Sequence, residues 1–283
     1  MIGQDDLRQT FDMMLYGEEN LFPQFAILIG TVGSGRKTLI RQYFKEKDCI
    51  WLEDNKVASV KKMVTLAHKV SKKVFVIADA DTMSTGAKNA LLKVVEECPN
   101  DNYFIMTLEA RSNTLRTITS RATVFNMDRY TPDDIEEYYW SLDGSDILRQ
   151  GSSDDADIVK DICDTPGEVN TLLKDGVQDF CAYVNLVMNN INSVSFANSF
   201  KIADKLAKKE DDDGYDLKMF WKVFIKMCFE KMTNSGAAEA KIYSRWAIRT
   251  SDCLKKLNSK SVNKSMLIDD WIINIRKIEN NGY

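Results

Sequence analysis

A strand, a helix and a second strand follow one another within residues 74–107, and this succession most constrains the fold. Residues 74–77 and 103–107 are apolar runs of β-branched and aromatic residues, which is typical of strands covered on both faces. Residues 87–97 between them have a helical pattern that stops near Pro99. Parallel strands require such a crossover, so the segment predicts an α/β fold.

The same alternation extends through the first half of the chain. It predicts further strands at 25–29, 49–52 and 123–127, and helices at 5–16, 39–44, 57–70 and 115–120. Strands that alternate with helices indicate one parallel sheet with helices on both faces. We therefore expect a nucleotide-binding-type α/β domain over residues 1–129.

No strand pattern recurs after residue 130. Thr131 suits a helix N-cap and Pro132 a first turn, so a small helical lid module is predicted over residues 130–176. Residues 177–283 are predicted to form an all-α domain, interrupted by an acidic segment at 210–214.

Residues 217–232 form an unusually apolar helical segment, whose polar positions recur every fourth residue from Lys218 to Glu230. A helix with so narrow a polar stripe is buried on several sides. It is either the central helix of its own domain or a helix that also packs against another subunit. In the second case the candidate contact residues are Phe220, Phe224 and Met227.

Composition excludes several classes of protein. With 44% hydrophobic residues among 283, the chain is not intrinsically disordered. Its net charge of −4 gives no general attraction for nucleic acid. Six cysteines without a C-x-x-C pair, and one histidine, argue against zinc and for reduced thiols in a cytoplasmic protein. No apolar run reaches the roughly 18 residues of a membrane span.

A glycine-rich turn joins the first predicted strand to the next helix, which is the setting of a phosphate-binding loop. The pattern G-x-x-x-x-G-K-[ST] fits Gly30 and Gly35, with Gly33 between them, but Arg36 replaces the lysine and Lys37 replaces the serine or threonine. A shift by one residue aligns Lys37 with Thr38 and loses both glycines. We interpret the loop as a damaged nucleotide site; the alternative is a permissive site that still binds a nucleotide.

The strand at 74–77 leads to the position where such sites carry a magnesium-binding aspartate and then a glutamate. Here the pair is Ala78 and Asp79. The metal-binding carboxylate is therefore missing, and no metal ligand is assigned. The alternative, in which Asp79 takes over the metal role after a one-residue slip, stays open.

These residues resemble the clamp-loader branch of the AAA+ ATPases, and among them the delta-prime subunits of bacterial and phage DNA polymerase III clamp loaders. The resemblance runs from Ile2 to about Gly167. It rests on the helix at 89–97, which contains Asn-Ala-Leu-Leu-Lys and Glu-Glu, and on residues 117–121. The latter match the family's serine-arginine-cysteine motif except that Ala122 replaces the cysteine.

The resemblance implies an AAA+ P-loop-type domain, a lid and a C-terminal collar that holds five subunits in an open ring. It implies that Arg121, preceded by Ser120, acts in trans on the nucleotide of a neighbour. The alternative is a surface arginine that caps the nearby helix end. Thr107 falls at the sensor-1 position, and Glu168 at the sensor-2 position, where an anion would repel phosphate.

The resemblance predicts a non-hydrolysing subunit that helps to load a sliding clamp, within a hetero-pentamer that engages the clamp and primed DNA. It implies no required cofactor, with ATP and Mg²⁺ binding weak at the chain's own site. The alternative function is a working motor ATPase of a loader or another P-loop ATPase. A third possibility, a DNA-binding module that uses Lys88 and Lys93, has no support from the net charge.

Overall fold

The computed structural model of the chain describes residues 2–19, 21–146, 150–191, 206, 215–257 and 262–280. The acidic segment predicted at 210–214 lies outside these residues. Contacts divide the chain into two compact units. Unit 1 comprises residues 1–138 and 164–167, and unit 2 comprises residues 139–163 and 168–283. The predicted three-part division at residues 129 and 176 stays a prediction.

A five-stranded parallel sheet forms the centre of unit 1. Its strands are β1 (Phe25–Ile29), β2 (Cys49–Trp51), β3 (Val74–Ile77), β4 (Tyr103–Leu108) and β5 (Thr123–Asn126). Their order across the sheet is β2-β3-β4-β1-β5, and every pair of neighbours is parallel. The predicted α/β class is confirmed. Short strands made almost wholly of apolar residues occur here because both faces of the sheet are covered.

Successive residues of each strand enter two different cores. Ile27, Phe75 and Met106 face one layer, whereas Ala26 and Val76 face the other. This alternation follows from the two-residue period of a strand. The strands read as uninterrupted apolar runs because each face packs against its own layer of helices.

Five helices flank the sheet: α1 (Asp5–Tyr16), α2 (Arg36–Tyr43), α3 (Val57–Ala67), α4 (Thr85–Glu97) and α5 (Arg116–Thr119). The first layer holds α3, α4 and α5, through residues such as Val60, Leu91 and Ile118. The second holds α1 and α2, through residues such as Phe11 and Leu39. Helix α2 begins three residues before its predicted start, directly after the left-handed Gly35.

Unit 2 is helical wherever the structure describes regular elements in it. Helix α6 (Pro132–Ser141) begins in unit 1 and ends in unit 2. The next helices are α7 (Ser153–Ile162), α8 (Pro166–Asp175) and α9 (Val177–Asn190). The later helices are α10 (Leu217–Asn234), α11 (Ala237–Leu257) and α12 (Lys264–Asn280). None of the helices in the described ranges is long and apolar enough to span a membrane.

Helix α10 is the central helix of unit 2. Phe220 and Phe224 are fully buried, and both rings pack edge-on against Trp271 of α12, with centroids 5.6 and 5.1 Å apart. As candidates for contact with another subunit these two phenylalanines are therefore wrong, because the chain's own helices cover them. Met227 is partly exposed, and the most exposed apolar residue of this helix is Phe229.

Candidate nucleotide site and exposed arginine

The predicted phosphate loop follows the carboxyl end of β1 and leads directly into α2. Gly33 and Gly35 have φ values of 80° and 88°, in the left-handed region that side chains with a Cβ rarely adopt. The Gly30 amide donates to the Leu108 carbonyl, 3.0 Å away, and so ties the start of the loop to β4. The loop therefore has the strand-to-helix setting that the sequence predicts.

The two cations of the loop contact one carboxylate. Arg36 Nη2 lies 3.2 Å from Asp79 Oδ1, and Lys37 Nζ lies 2.6 Å from Asp79 Oδ2. The Arg36 side chain is 7% exposed, whereas the Lys37 side chain is 45% exposed. The predicted phosphate-binding residues are thus brought together with Asp79, and each engages a different oxygen of its carboxylate. Thr38, the other predicted loop residue, is exposed.

Asp79 is held in place by its main chain. Its φ is 50°, a conformation that aspartate tolerates better than most residues. Its amide donates to Thr107 Oγ1 at 2.8 Å, and its carbonyl accepts from Asn55 Nδ2 at 2.9 Å. The predicted sensor-1 residue Thr107 therefore positions the backbone of Asp79. Ala78 precedes Asp79 and supplies no carboxylate.

Two polar residues of this region escaped the sequence analysis. Asn55 follows β2 and bonds to the carbonyls of Ala78 and Asp79. Asp81 is buried, and both its oxygens accept the Glu109 amide at 3.0 Å. Both lie near the carboxyl ends of parallel strands, where sites of this fold assemble. That position is the signal by which they could have been found.

Residues 164–167, which belong to unit 1, and Tyr130 pack against the phosphate loop. The Gly167 amide donates to the Gly33 carbonyl at 3.0 Å, and a Cβ built on Gly167 would lie 2.5 Å from the Gly33 Cα atom. The Tyr130 hydroxyl donates to the Ser34 carbonyl at 2.8 Å. Burial raises the pKa of this hydroxyl to about 12, so it remains a donor at neutral pH. The loop is therefore held by contacts on several sides.

Arg121 lies on the surface of unit 1, beyond the end of α5. Its side chain is 37% exposed, and its Nε lies 3.4 Å from Glu96 Oε2 of α4. Its Nη1 donates to the Thr117 carbonyl at 2.9 Å, and the Ser120 hydroxyl donates to the same carbonyl at 3.2 Å. The helix-capping contact expected under the alternative interpretation is present. The role in trans stays a prediction.

Glu168, at the predicted sensor-2 position, belongs to unit 2 and is buried. Its oxygens lie 2.6 Å from Lys218 Nζ and 2.7 Å from Lys222 Nζ, both on α10. The polar stripe of α10 is therefore engaged within unit 2. Lys226 continues it, in an ion pair with Asp161 of α7.

The two lysines considered as DNA contacts differ in exposure. Lys88 is 8% exposed, so the interpretation that it meets a DNA backbone is wrong, because the side chain is buried inside unit 1. Lys93 is exposed, and its Nζ lies 3.8 Å from Glu97 Oε1 on the same helix. The pair gives no support to a DNA-binding surface.

Comparison with known proteins finds one matching family model and similar solved structures. Residues 32–131 match the model of a family described as DNA polymerase III, delta subunit. No curated protein matches the chain. A DNA polymerase III gamma subunit-related protein of Thermotoga maritima is 13% identical, with 96% of this chain and 99% of that chain covered and a TM-score of 0.49. The RuvB Holliday junction branch migration motor of the same organism is 15% identical, with 83% and 78% covered and a TM-score of 0.51.

Proposed function

We propose that this clamp-loader-type AAA+ protein is a non-hydrolysing, delta-prime-like subunit that activates a neighbouring ATPase subunit through Arg121. The observation that carries the proposal is the contrast between two basic sites. Arg36 is 7% exposed and pairs with Asp79 inside the chain, whereas Arg121 is 37% exposed and pairs with Glu96 at the surface. The arginine of the loop is buried against the chain's own carboxylate, whereas another chain can reach the guanidinium of Arg121.

The chemistry of the loop argues against hydrolysis. A P-loop enzyme uses a lysine on the terminal phosphates, a hydroxyl on Mg²⁺ and a carboxylate that holds the metal. Here the lysine and hydroxyl positions hold Arg36 and Lys37, and the metal position holds Ala78. Arginine is planar and forked, so it does not replace a lysine point charge in the same space. ATP and Mg²⁺ would therefore bind weakly at this loop, and the proposed role requires no cofactor.

The setting of Arg121 suits a residue that acts on a partner. A partly exposed guanidinium held by Glu96 and by the Thr117 carbonyl has fewer conformations to lose on docking. Supplied in trans, an arginine offsets the charge that develops on a transferred phosphoryl group. The partners we propose are the other subunits of a hetero-pentameric loader, the sliding clamp and, through the complex, primed DNA, in the cytoplasm.

The isolated chain tests the first half of the proposal. We expect no steady-state phosphate release from ATP and Mg²⁺, with or without primed DNA and clamp. Turnover near one per second would be typical of a working motor subunit. Such a rate from the isolated chain would favour the alternative, an active ATPase.

The arginine is tested in the assembled complex from the same source. Arg121→Ala should remove most of the turnover at the neighbouring site, because an arginine supplied in trans is worth roughly a thousand-fold or more in rate. Arg116→Ala is the matched control, since it removes the same charge from an exposed position on α5, the short helix that precedes Arg121. Assembly is checked by size-exclusion chromatography. An intact Arg121→Ala complex with an unchanged rate would refute the role in trans.

A further inference from the structure

The guanidinium of Arg36 is incompletely satisfied. Its side chain is 7% exposed, and Nη2 contacts Asp79. Its Nη1 is buried and has no hydrogen-bond partner among the described residues. A buried donor without a partner costs free energy, so this atom marks a place where an additional acceptor would be stabilised.

The combined charge of Arg36, Lys37 and Asp79 favours the binding of an additional anion. Arg36 and Lys37 carry two positive charges and Asp79 carries one negative charge, so the three side chains retain a net positive charge. Arg36 and Lys37 stand in the first turn of α2, where backbone amides and the helix dipole also favour an anion. Asp79 presents one oxygen to each cation, as two oxygens of a phosphate would.

We propose that the loop is a polyphosphate site closed by the chain's own Asp79, whose carboxylate takes the place of a phosphate group on Arg36 and Lys37. The ligand class is a di- or triphosphate moiety, and the carboxylate excludes it by occupying the cations and by repelling a second anion. This inference rests on the proposed function and supplies a reason why the site is weak. It assigns the weakness to one removable group rather than to the altered loop alone.

The site should survive removal of that group. Asp79 is fixed through its amide to Thr107 and its carbonyl to Asn55, and neither bond uses the carboxylate. Its φ of 50° is also accessible to asparagine and, without strain, to glycine. Asp79→Asn and Asp79→Gly therefore provide two independent variants that keep the backbone and lose the negative charge.

The test is calorimetric titration of inorganic pyrophosphate into the full chain at low ionic strength. Both Asp79 variants should bind pyrophosphate at least about tenfold more tightly than the native chain, which is about 1.4 kcal/mol. Asp48→Asn is the matched control. Asp48 is also paired with a lysine, Lys73, and its side chain is 39% exposed, compared with 41% for Asp79. The Asp48→Asn substitution removes the same charge at the opposite end of the sheet and should leave the affinity for pyrophosphate unchanged.

A double variant tests whether the gain in pyrophosphate affinity depends on Arg36. Adding Arg36→Gln to Asp79→Asn should abolish the gain, because the unsatisfied guanidinium is then absent. Equal pyrophosphate affinity in the native chain and both folded Asp79 variants, or a gain that persists without Arg36, would overturn the inference. The proposed function fails in a different assay, by ATP turnover of the native chain, so the two failures are distinguishable.

Discussion

A contact between two glycines decides how closely residues 164–167 approach the phosphate loop. The Gly167 amide reaches the Gly33 carbonyl at 3.0 Å, and such an approach requires that neither residue carries a side chain. Gly33 also adopts φ 80°, and a Cβ there would lie 2.6 Å from Thr165 Oγ1. Both glycines are therefore required by the packing, and Gly33 also by its conformation.

We predict that Gly167→Ala lowers the thermal unfolding midpoint of the chain. The new Cβ would lie 2.5 Å from the Gly33 Cα atom, so the backbone must shift, at a cost of about 1–3 kcal/mol. Gly86→Ala, within α4, is the control, because its Cβ would meet Val57 Cγ2 at 3.7 Å and Ser84 Oγ at 3.9 Å, which are ordinary contacts. It should be neutral or slightly stabilising, since alanine favours a helix over glycine. Equal melting of Gly167→Ala and the native chain would contradict the packing argument.

At the scale of secondary structure, one asparagine joins the end of α3 to the start of β4. Asn102 is fully buried. Its Nδ2 donates to the carbonyls of Ala67 and Val70 at 2.9 and 3.0 Å, and its Oδ1 accepts the Lys73 amide at 2.9 Å. The last carbonyls of a helix lack intrahelical partners. The Asn102 side chain serves the Ala67 carbonyl, which also accepts from Asn100 Nδ2 at 3.2 Å, and it fixes the segment between α3 and β3 through Val70 and Lys73.

Asn102→Ala should destabilise unit 1 by about 2–4 kcal/mol, because it removes three hydrogen bonds made by a fully buried side chain. Chemical denaturation, followed by hydrogen exchange in β3 and β4, measures the loss. The control is Asn189→Ala, since Asn189 is exposed and its hydrogen bonds, from Nδ2 to Asn185 and from Lys231 to Oδ1, are exposed as well. That change should stay within about 0.5 kcal/mol. A small effect of Asn102→Ala would show that water replaces the side chain.

At the scale of the whole molecule, the chain divides into two compact units whose interiors are built differently. Unit 1 has two apolar layers on a sheet. Unit 2 packs helices against one another, and among them the Glu168 side chain, 10% exposed, joins Lys218 and Lys222. Lys222 also donates to the Ile162 carbonyl at 3.1 Å, so α7, α8 and α10 are linked through polar contacts.

Glu168→Gln should destabilise unit 2 selectively. It leaves Lys222, whose side chain is 13% exposed, without its carboxylate, and breaking a buried pair costs about 3–5 kcal/mol. We expect about 2–4 kcal/mol, because Lys218 is more exposed. Hydrogen exchange should accelerate in α10 and stay unchanged in the strands of unit 1.

Glu230→Gln is the control for this change, since Glu230 pairs with Lys226 on the same helix at 3.6 Å and is 57% exposed. Exposed pairs contribute about 0–1 kcal/mol. Equal exchange rates in the two variants would mean that the Glu168 pairs contribute no more than a surface pair.

The sequence by itself determined the class of fold, because strand and helix periods are local patterns. The predicted strands at 25–29 and 74–77 are observed with the same bounds, and the altered loop could be read residue by residue. Only the tertiary structure decided which charges meet. Asp79 and Arg36 are 43 residues apart, and their pairing depends on how β1 and β3 are arranged in one sheet.

Burial was likewise decided by tertiary packing. A helical sequence pattern indicates which positions of a helix are apolar, but it does not indicate which other helices cover them. Phe220 and Phe224 are therefore core residues of unit 2, and Lys88 lies inside unit 1 although lysine is usually exposed. Contacts between distant residues determine accessibility, and accessibility separates Arg121 on the surface from Arg36 in the loop.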